Sequence, residues 1–212
     1  MRMGNVEKRF VNSKRHGQKN LELIGRLFNN IDLGKINKVL EIGCGVGVVS
    51  SHLNSVYRMD VIGIDIDPEQ IKMAKKYNKE NETLKFINVN ATKLPFEKNK
   101  FDMVLLLWVM HHINDWGKVL KEINRVLKIY GFFIFSDLAY SRKITTIVNF
   151  ASSIRIFKHI LQKYGVYTID DIIYFLKRHE FEIIYRESPK KGVFSRGHNL
   201  IFQKNIGKDK KK

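Results

Sequence analysis

A run of glycines after a short apolar segment is the feature of this sequence best suited to hold a ligand. Residues 39–47 read VLEIGCGVG, so Gly43, Gly45 and Gly47 alternate directly after the apolar run. Glycine permits tight turns and lets a ligand approach the backbone closely, because it has no Cβ atom. Glu41 adds a carboxylate two residues before the first glycine. The sequence therefore predicts a turn across which a cofactor lies, with a negative charge beside it.

The spacing of the glycines discriminates between two classes of cofactor. A dinucleotide fingerprint reads G-x-G-x-x-G and holds a pyrophosphate at a helix N-terminus. Here the third glycine is Gly47, and Val48 occupies the position that the dinucleotide pattern gives to glycine. Glu41 is also badly placed for a pyrophosphate and well placed for a cation. The pattern favours a cofactor with positive charge and no phosphate, and a nicotinamide-dependent oxidoreductase is the alternative.

These residues form E-x-G-x-G-x-G, which resembles the first motif of class I methyltransferases that use S-adenosylmethionine. The match covers roughly residues 35–140 and is most similar to the type 11 group of these enzymes. The resemblance implies S-adenosylmethionine as the cofactor and methyl transfer to an acceptor as the reaction. The further segments that carry it are VIGIDID at 61–67, NVNATKLPF at 88–96, FDMVLLLWVMHHI at 101–113 and VLKEINRVLKIYGFFIFSD at 119–137.

The resemblance also implies roles for individual residues. Asp65 matches the carboxylate that binds both ribose hydroxyls, and Ile66 would lie against the adenine face. Asn90 stands where the family usually has an acid, and its side-chain carbonyl can accept a hydrogen bond from the adenine amino group. The other residues that we expect at the cofactor are Glu41, Gly43, Cys44, Gly45, Gly47, Ala91 and Leu106.

Three polar side chains could assist the reaction. Methyl transfer from a sulfonium needs no metal, and a general base is required only if the acceptor must lose a proton. His111 and His112 follow the fourth predicted strand, and Asp137 ends the fifth. We take His111 as the candidate catalytic residue and expect Asp137 to cap the following loop. A protein that binds S-adenosylmethionine without catalysis is a further alternative.

Alternating apolar runs and helical stretches predict the scaffold that positions these residues. They indicate an α/β fold with a doubly wound, mostly parallel, seven-stranded sheet and an antiparallel strand pair at its C-terminal edge. The predicted strands are 38–42, 61–65, 84–89, 101–107 and 132–136, closed by the pair 182–187 and 198–203. The predicted helices include 68–81, 117–127, 141–164 and 168–179, the last with Thr168 as its N-cap.

Length and composition agree with one domain. With 212 residues and 44% hydrophobic content, the chain can bury a full core. Within a single domain 1–212 we expect an N-terminal helical cap at 1–34, a helical acceptor-side segment at 139–180 and a disordered basic tail at 208–212. The single cysteine excludes an internal disulfide framework and a cysteine-rich zinc site.

Targeting signals are also missing from the sequence. The N-terminus has no apolar run of the kind that a signal peptide needs. The longest apolar run, 103–110, is far shorter than the roughly 20 residues of a transmembrane helix. We therefore expect a cytoplasmic protein.

The formal charge of +17 lies outside the predicted cofactor-binding core. Residues 1–19, 139–165 and 186–212 carry +5, +5 and +7, and the remainder is balanced. Because clustered like charges concentrate anionic ligands, a nucleic acid or a phosphorylated metabolite is a candidate acceptor. The 27 lysines, 25 isoleucines and 17 asparagines also match the bias of an A+T-rich genome, so the charge has two interpretations.

Overall fold

One mixed sheet of seven strands organises the molecule. The computed structural model describes residues 8, 9, 11–140, 145, 167–188 and 197–206. The strands are β1 Lys38–Ile42, β2 Asp60–Asp65, β3 Leu84–Asn88, β4 Phe101–Leu107, β5 Leu127–Leu138, β6 Phe181–Glu187 and β7 Gly197–Lys204. Their order across the sheet is β3-β2-β1-β4-β5-β7-β6. The first five are parallel, whereas β7 is antiparallel to both β5 and β6. The predicted fold class is confirmed.

The helices lie on both faces of the sheet. They are α1 Lys14–Phe28, α2 Val48–Tyr57, α3 Pro68–Tyr77, α4 Trp116–Val126 and α5 Ile169–Arg178, with short 3-10 turns at Leu33–Lys35 and Met110–His112. Thr168 caps α5 as predicted, because its hydroxyl accepts from the backbone N–H of Asp171 while the Asp171 carboxylate accepts from that of Thr168. Among the described residues, no helix combines the length and apolar character needed to cross a bilayer.

Two hydrophobic clusters cover the two faces of the sheet, and strand β4 contributes to both. Its side chains Met103, Leu105 and Leu107 pack with α1, α2 and α3, whereas Val104 and Leu106 pack with α4 and α5. This division follows from the period of two in a strand. A strand that is buried on both faces reads as a continuous apolar run, which is why the sequence indicates a central strand here.

Two elements have an end that differs from the prediction by four residues or more. Strand β5 begins five residues before the predicted 132–136, and its early part contains Tyr130 in the left-handed region, with φ of 65°. Helix α3 ends at Tyr77 and not at residue 81, because the side chain of Asn78 donates to the carbonyl of Ala74 at 2.8 Å and to that of Val46 at 2.9 Å. The predicted helix 141–164, except Thr145, and the tail 208–212 fall outside the described residues.

Candidate functional site

The carboxyl ends of β1, β2 and β4 open into a cavity of about 490 Å³, which we call the cofactor cavity. Its volume lies in the range of small-molecule sites, and open α/β sheets bind ligands at this edge. Four loops after the strands and the chain at residues 11–20 form its wall. Eight of the predicted cofactor residues line it: Glu41, Gly43, Cys44, Gly45, Asp65, Ile66, Asn90 and Ala91.

The glycines of the turn after β1 serve different purposes. Gly45 has a φ of 53°, and a Cβ built on it would meet only the Gln70 side chain, at 3.7 Å, so it leaves the cavity open. Gly47 lies in the same turn but does not line the cavity. A Cβ on Gly47 would lie 2.6 Å from the ring of Phe86, so this glycine permits packing of the turn on β3. Gly47 is thus a predicted cofactor residue that packs against β3 and does not face the cavity.

Asp65 presents a fixed carboxylate at the end of β2. Its Oδ2 accepts from the backbone N–H of Gly45 at 3.1 Å, and its Oδ1 accepts from that of Asp67 at 2.9 Å. The side chain is mostly buried, and this burial raises its pKa, which the two N–H groups partly oppose. An ionised carboxylate has about four acceptor positions. Each oxygen of Asp65 can therefore still accept from a hydroxyl group in the cavity.

Glu41 places a second carboxylate on the wall. It is 4% exposed and accepts a hydrogen bond from the hydroxyl of Ser50 on α2. Burial raises the pKa of Glu41 to about 7, the hydrogen bonds to Ser50 oppose the shift, and the charge of Asp65 adds to it. A cation that enters the cavity beside Glu41 would favour the ionised form.

Asn90 has an orientation that corrects the predicted contact with an adenine amino group. Its Oδ1 accepts from the backbone N–H of Thr92 at 3.0 Å and from the Thr92 hydroxyl at 2.9 Å. Because a backbone N–H can only donate, this contact determines which end of the amide is the oxygen. Both lone pairs of the carbonyl are used, and the amide NH2 remains for a ligand. Asn90 can donate to a ring nitrogen, whereas it cannot accept from an amino group in this arrangement.

The apolar wall beside β4 also differs from the prediction. Leu106 is fully buried in the cluster with α4, and Leu107 lines the cavity in its place, because neighbouring strand residues point to opposite faces. Trp108 follows on the wall with a φ of 60°, an unusual value for a large side chain. Its ring packs on Gly197, where a Cβ would lie 2.5 Å away.

Residues 8, 9 and 11–20, which we call the N-terminal wall, close one side of the cavity. Lys8 forms an ion pair with Asp67 at 2.7 Å and contacts Glu69, so it ties this segment to the loop after β2. The cavity-lining residues of the segment are Val11, Asn12, His16, Gly17 and Asn20. The sequence predicts a helical cap at 1–34, but no motif identifies the individual residues of this segment that line the cavity.

The two neighbouring histidines take different positions. His112 lines the cofactor cavity, whereas His111 does not. Nδ1 of His111 hydrogen-bonds Oδ1 of Asp137, and the carboxylate of Asp137 also accepts from the backbone N–H groups of Met110 and Leu138. Asp137 therefore ties the loop after β4 to the end of β5, and its bond to Leu138 lies within β5 and not in the following loop, which the sequence predicts it to cap.

The charge of the wall is opposite to that of the whole protein. Glu41, Asp65 and Asp115 line the cavity, and among the described wall residues none is lysine or arginine. The formal charge of the chain is +17. A local excess of carboxylates attracts cationic groups and repels phosphates. The cavity therefore suits a ligand that carries positive charge.

Comparison with known proteins agrees with this arrangement. The sequence profile of a methyltransferase domain family, Methyltransf_11, matches residues 40–135, which include the glycine turn, Asp65 and the strands β2 to β5 as far as Phe135. The central part of the chain is therefore similar to class I S-adenosylmethionine-dependent methyltransferases. A crystal structure of the protein PH0226 from Pyrococcus horikoshii has 26% identity, a TM-score of 0.69, and coverage of 92% of this chain and 93% of that chain.

Curated methyltransferases share the central part of the sequence. A malonyl-[acyl-carrier protein] O-methyltransferase from Legionella pneumophila is 29% identical over 120 residues, which are 55% of this chain and 42% of that protein. A phthiotriol/phenolphthiotriol dimycocerosates methyltransferase from Mycobacterium tuberculosis is 32% identical over 125 residues, which are 58% of this chain and 46% of that protein. The chain thus spans less than half the length of these two methyltransferases.

Proposed function

We propose that the protein binds S-adenosylmethionine in the cofactor cavity and catalyses transfer of its methyl group to an acceptor. The observation that carries the proposal is the pair of buried carboxylates, Glu41 and Asp65, on a wall whose described residues include no lysine or arginine. The ammonium and sulfonium groups of this cofactor complement that charge. The pyrophosphate of a nicotinamide dinucleotide would instead meet like charge.

Each part of the wall suits one part of this cofactor. Asp65 would accept from the ribose hydroxyls, and Glu41 would bind the ammonium group. Ile66, which is 44% exposed, offers an apolar surface for the adenine face, and the NH2 group of Asn90 would donate to a ring nitrogen. When bound, S-adenosylmethionine supplies a methyl group that its sulfonium activates for displacement. The residues of the chain contribute orientation and the exclusion of water.

Calorimetric titration of the wild-type protein and of Asp65→Ala tests the binding part of the proposal. The wild type should bind S-adenosylhomocysteine and should not bind NAD. Asp65→Ala should lose at least about tenfold in affinity for S-adenosylhomocysteine, because charge-assisted hydrogen bonds to hydroxyls are lost. Asp60→Ala, at the opposite end of the same strand, is the matched control and should bind normally. Tight binding of NAD, or unchanged affinity in Asp65→Ala, would contradict the proposal.

Incubation with methyl-labelled S-adenosylmethionine in fractionated cell extract tests catalysis. The wild type should transfer label to a component of at least one fraction, and Asp65→Ala should transfer much less at low cofactor concentration. A protein that binds the cofactor and labels no fraction would be the non-catalytic binding protein that the sequence leaves as an alternative.

A further inference from the structure

His111 and Asp137 form a hydrogen-bonded pair beside the cofactor cavity. The carboxylate of Asp137 is fully buried at the end of β5. Its Oδ2 accepts from the backbone N–H groups of Met110 and His111, and its Oδ1 accepts from the backbone N–H of Leu138 and from Nδ1 of His111. Four donors therefore surround Asp137, so that its carboxylate acts as a hydrogen-bond acceptor.

This environment determines the tautomer of His111. An ionised carboxylate cannot donate, so Nδ1 of His111 must carry the proton that it shares with Asp137. In neutral imidazole the other nitrogen, Nε2, is then unprotonated and can accept a proton. Among the described residues, no group hydrogen-bonds Nε2 of His111. The pair has the same relation of carboxylate to imidazole that orients the base of a serine protease.

The ring of His111 lies beside a residue of the cavity wall. Its ring lies on that of His112, with 3.9 Å between the two centroids, and His112 lines the cavity. The side chain of His111 remains 18% exposed, while that of Asp137 is fully buried. Of the two members of the pair, only His111 is accessible, and it lies next to a residue of the cavity wall.

Among the described residues, Tyr167 and His112 are further titratable groups near the pair. Tyr167 lies beside Asp137, and burial, followed by the charge of Asp137 and the proximity of Tyr140, raises the pKa of its hydroxyl. Tyr167 thus stays neutral and is a weak base at any physiological pH. His112 is the second group that faces His111. Asp137, Tyr167 and His112 are the titratable groups that would influence a pH profile of His111.

We infer that His111 is the general base of the proposed methyl transfer, that Asp137 is its positioning residue, and that the acceptor is a hydroxyl group. The inference rests on the proposed function. A hydroxyl carries its proton at neutral pH, whereas a carboxylate or a thioether needs no base. As the acceptor oxygen forms its bond to the methyl carbon, the carbon–sulfur bond breaks and its electron pair stays on sulfur. The hydroxyl proton moves to Nε2 of His111, and Asp137 stabilises the resulting imidazolium.

Nitrogen NMR of histidine-labelled protein tests the pair without any substrate. At pH 8, the wild type should show His111 as the tautomer with its proton on Nδ1, assigned by the signals that disappear in His111→Gln. In Asp137→Asn, the side-chain oxygen is needed by the N–H groups of Met110 and His111, so the NH2 group would face the imidazole. The proton of His111 should therefore move to Nε2. A proton on Nε2 in the wild type would overturn the inference.

Transfer of labelled methyl to the extract fraction that the wild type modifies tests the role in catalysis. His111→Gln and Asp137→Asn should lose about 100-fold or more in turnover, while their affinity for S-adenosylhomocysteine stays within about twofold of the wild type. Added imidazole should restore part of the activity of His111→Ala, which a structural role would not predict. The labelled product should contain a methyl ether, formed from a hydroxyl.

The outcomes separate this inference from the proposed function. If the wild type labels no fraction, the proposed function fails and the inference fails with it. If the wild type and His111→Gln label the fraction equally, methyl transfer stands and His111 is not the base. A labelled product without an oxygen–methyl bond would overturn the hydroxyl acceptor.

Discussion

At the scale of single residues, Glu41 has opposite effects on stability and on binding. Burial raises its pKa in the folded protein from 4.5 to about 7. The folded state therefore binds the proton more tightly than the unfolded state between these values. Its contribution to the free energy of unfolding is fully present below about pH 4.5 and is lost as the pH rises through 7. The ionised form that a cofactor ammonium requires is the form that destabilises the free protein.

We predict that Glu41→Gln stabilises the free protein at pH 8 and weakens cofactor binding. The amide keeps a partner for Ser50 but carries no charge, so the unfolding temperature should rise at pH 8 by about 2–4 °C for each kcal/mol gained. At pH 5 the two proteins should differ little.

In the wild type, affinity for S-adenosylhomocysteine should be about tenfold lower at pH 6 than at pH 8, because most Glu41 is protonated at pH 6. In Glu41→Gln, the affinity for S-adenosylhomocysteine should be low and should change little with pH. Calorimetry measures the affinities, and thermal unfolding measures the stabilities. An equal dependence of affinity on pH in the two proteins would contradict the role assigned to Glu41.

Comparison of Gly45→Ala with Gly47→Ala should distinguish an effect on ligand binding from an effect on the stability of the fold. Both glycines have a positive φ, of 53° and 82°, so an alanine costs about 1–2 kcal/mol at either position. At Gly47 the methyl group also overlaps the ring of Phe86, and this variant should unfold at the lower temperature. At Gly45 the methyl group enters the cavity, so this variant should lose more affinity for S-adenosylhomocysteine. Normal binding by Gly45→Ala would show that the ligand does not approach this part of the turn.

The sequence predicts correctly that certain residues lie on the cavity wall, and the position of these residues follows from the course of the backbone. Glu41, Gly45 and Asp65 are given by motif spacing, and the carboxyl ends of parallel strands bring them together. The roles of Asn90 and Leu106 depend on side-chain direction. The Asn90 carbonyl is taken by Thr92 in a local turn, and Leu106 points away from the cavity because of strand parity.

At the scale of elements, Lys8 ties the N-terminal wall to the loop after β2. Lys8 pairs with the buried Asp67, which precedes α3 and lies two residues after Asp65. We predict that Lys8→Met loosens the N-terminal wall and increases the dissociation rate of S-adenosylhomocysteine by about two- to fivefold. Stopped-flow displacement measures this rate, and hydrogen exchange should show faster exchange in this segment.

The matched control is Lys72→Met, which removes an exposed lysine from α3 itself. It should leave both the dissociation rate and the exchange of the N-terminal wall unchanged. Because the Lys8 pair is partly exposed, 0.5 M salt should reduce the difference between the wild type and Lys8→Met. An unchanged dissociation rate in Lys8→Met would mean that the cofactor leaves by another side of the cavity.

The elements were predictable where hydrophobic periodicity is strong. The predicted strands 38–42 and 101–107 agree with β1 and β4. The early part of β5 was missed because Lys128, Tyr130 and Gly131 interrupt its apolar pattern. A Cβ on Gly131 would lie 2.9 Å from the carbonyl oxygen of Asp102, so close strand contact, together with burial of Leu127, retains this part in the sheet. Such contact between distant segments has no local signature.

At the scale of the whole molecule, the basic charge predicts a salt-dependent interaction if the acceptor is a nucleic acid. Affinity for RNA or DNA should then fall linearly with salt on logarithmic scales. Four basic residues are chosen for replacement by serine, and all lie outside the described part of the chain: Arg142, Lys143, Arg155 and Lys158. The replacement should flatten the slope of affinity against salt and leave affinity for S-adenosylhomocysteine unchanged. Filter binding of labelled cellular RNA measures the slope. No retention at the lowest salt would leave genome composition or a small anionic acceptor as the source of the charge.

The position of β7 has a consequence for how the chain reaches its native state. This strand lies between β5 and β6 although it follows both in sequence, and it pairs Phe132 with Gln203. On the ribosome, both neighbouring strands emerge before it and expose unpaired backbone edges to other nascent chains. Closure of the sheet requires contacts between residues about 70 positions apart, which slows folding. We therefore expect translation arrest or truncation before residue 197 to produce a chain that aggregates, even though every residue of the glycine turn is already synthesised.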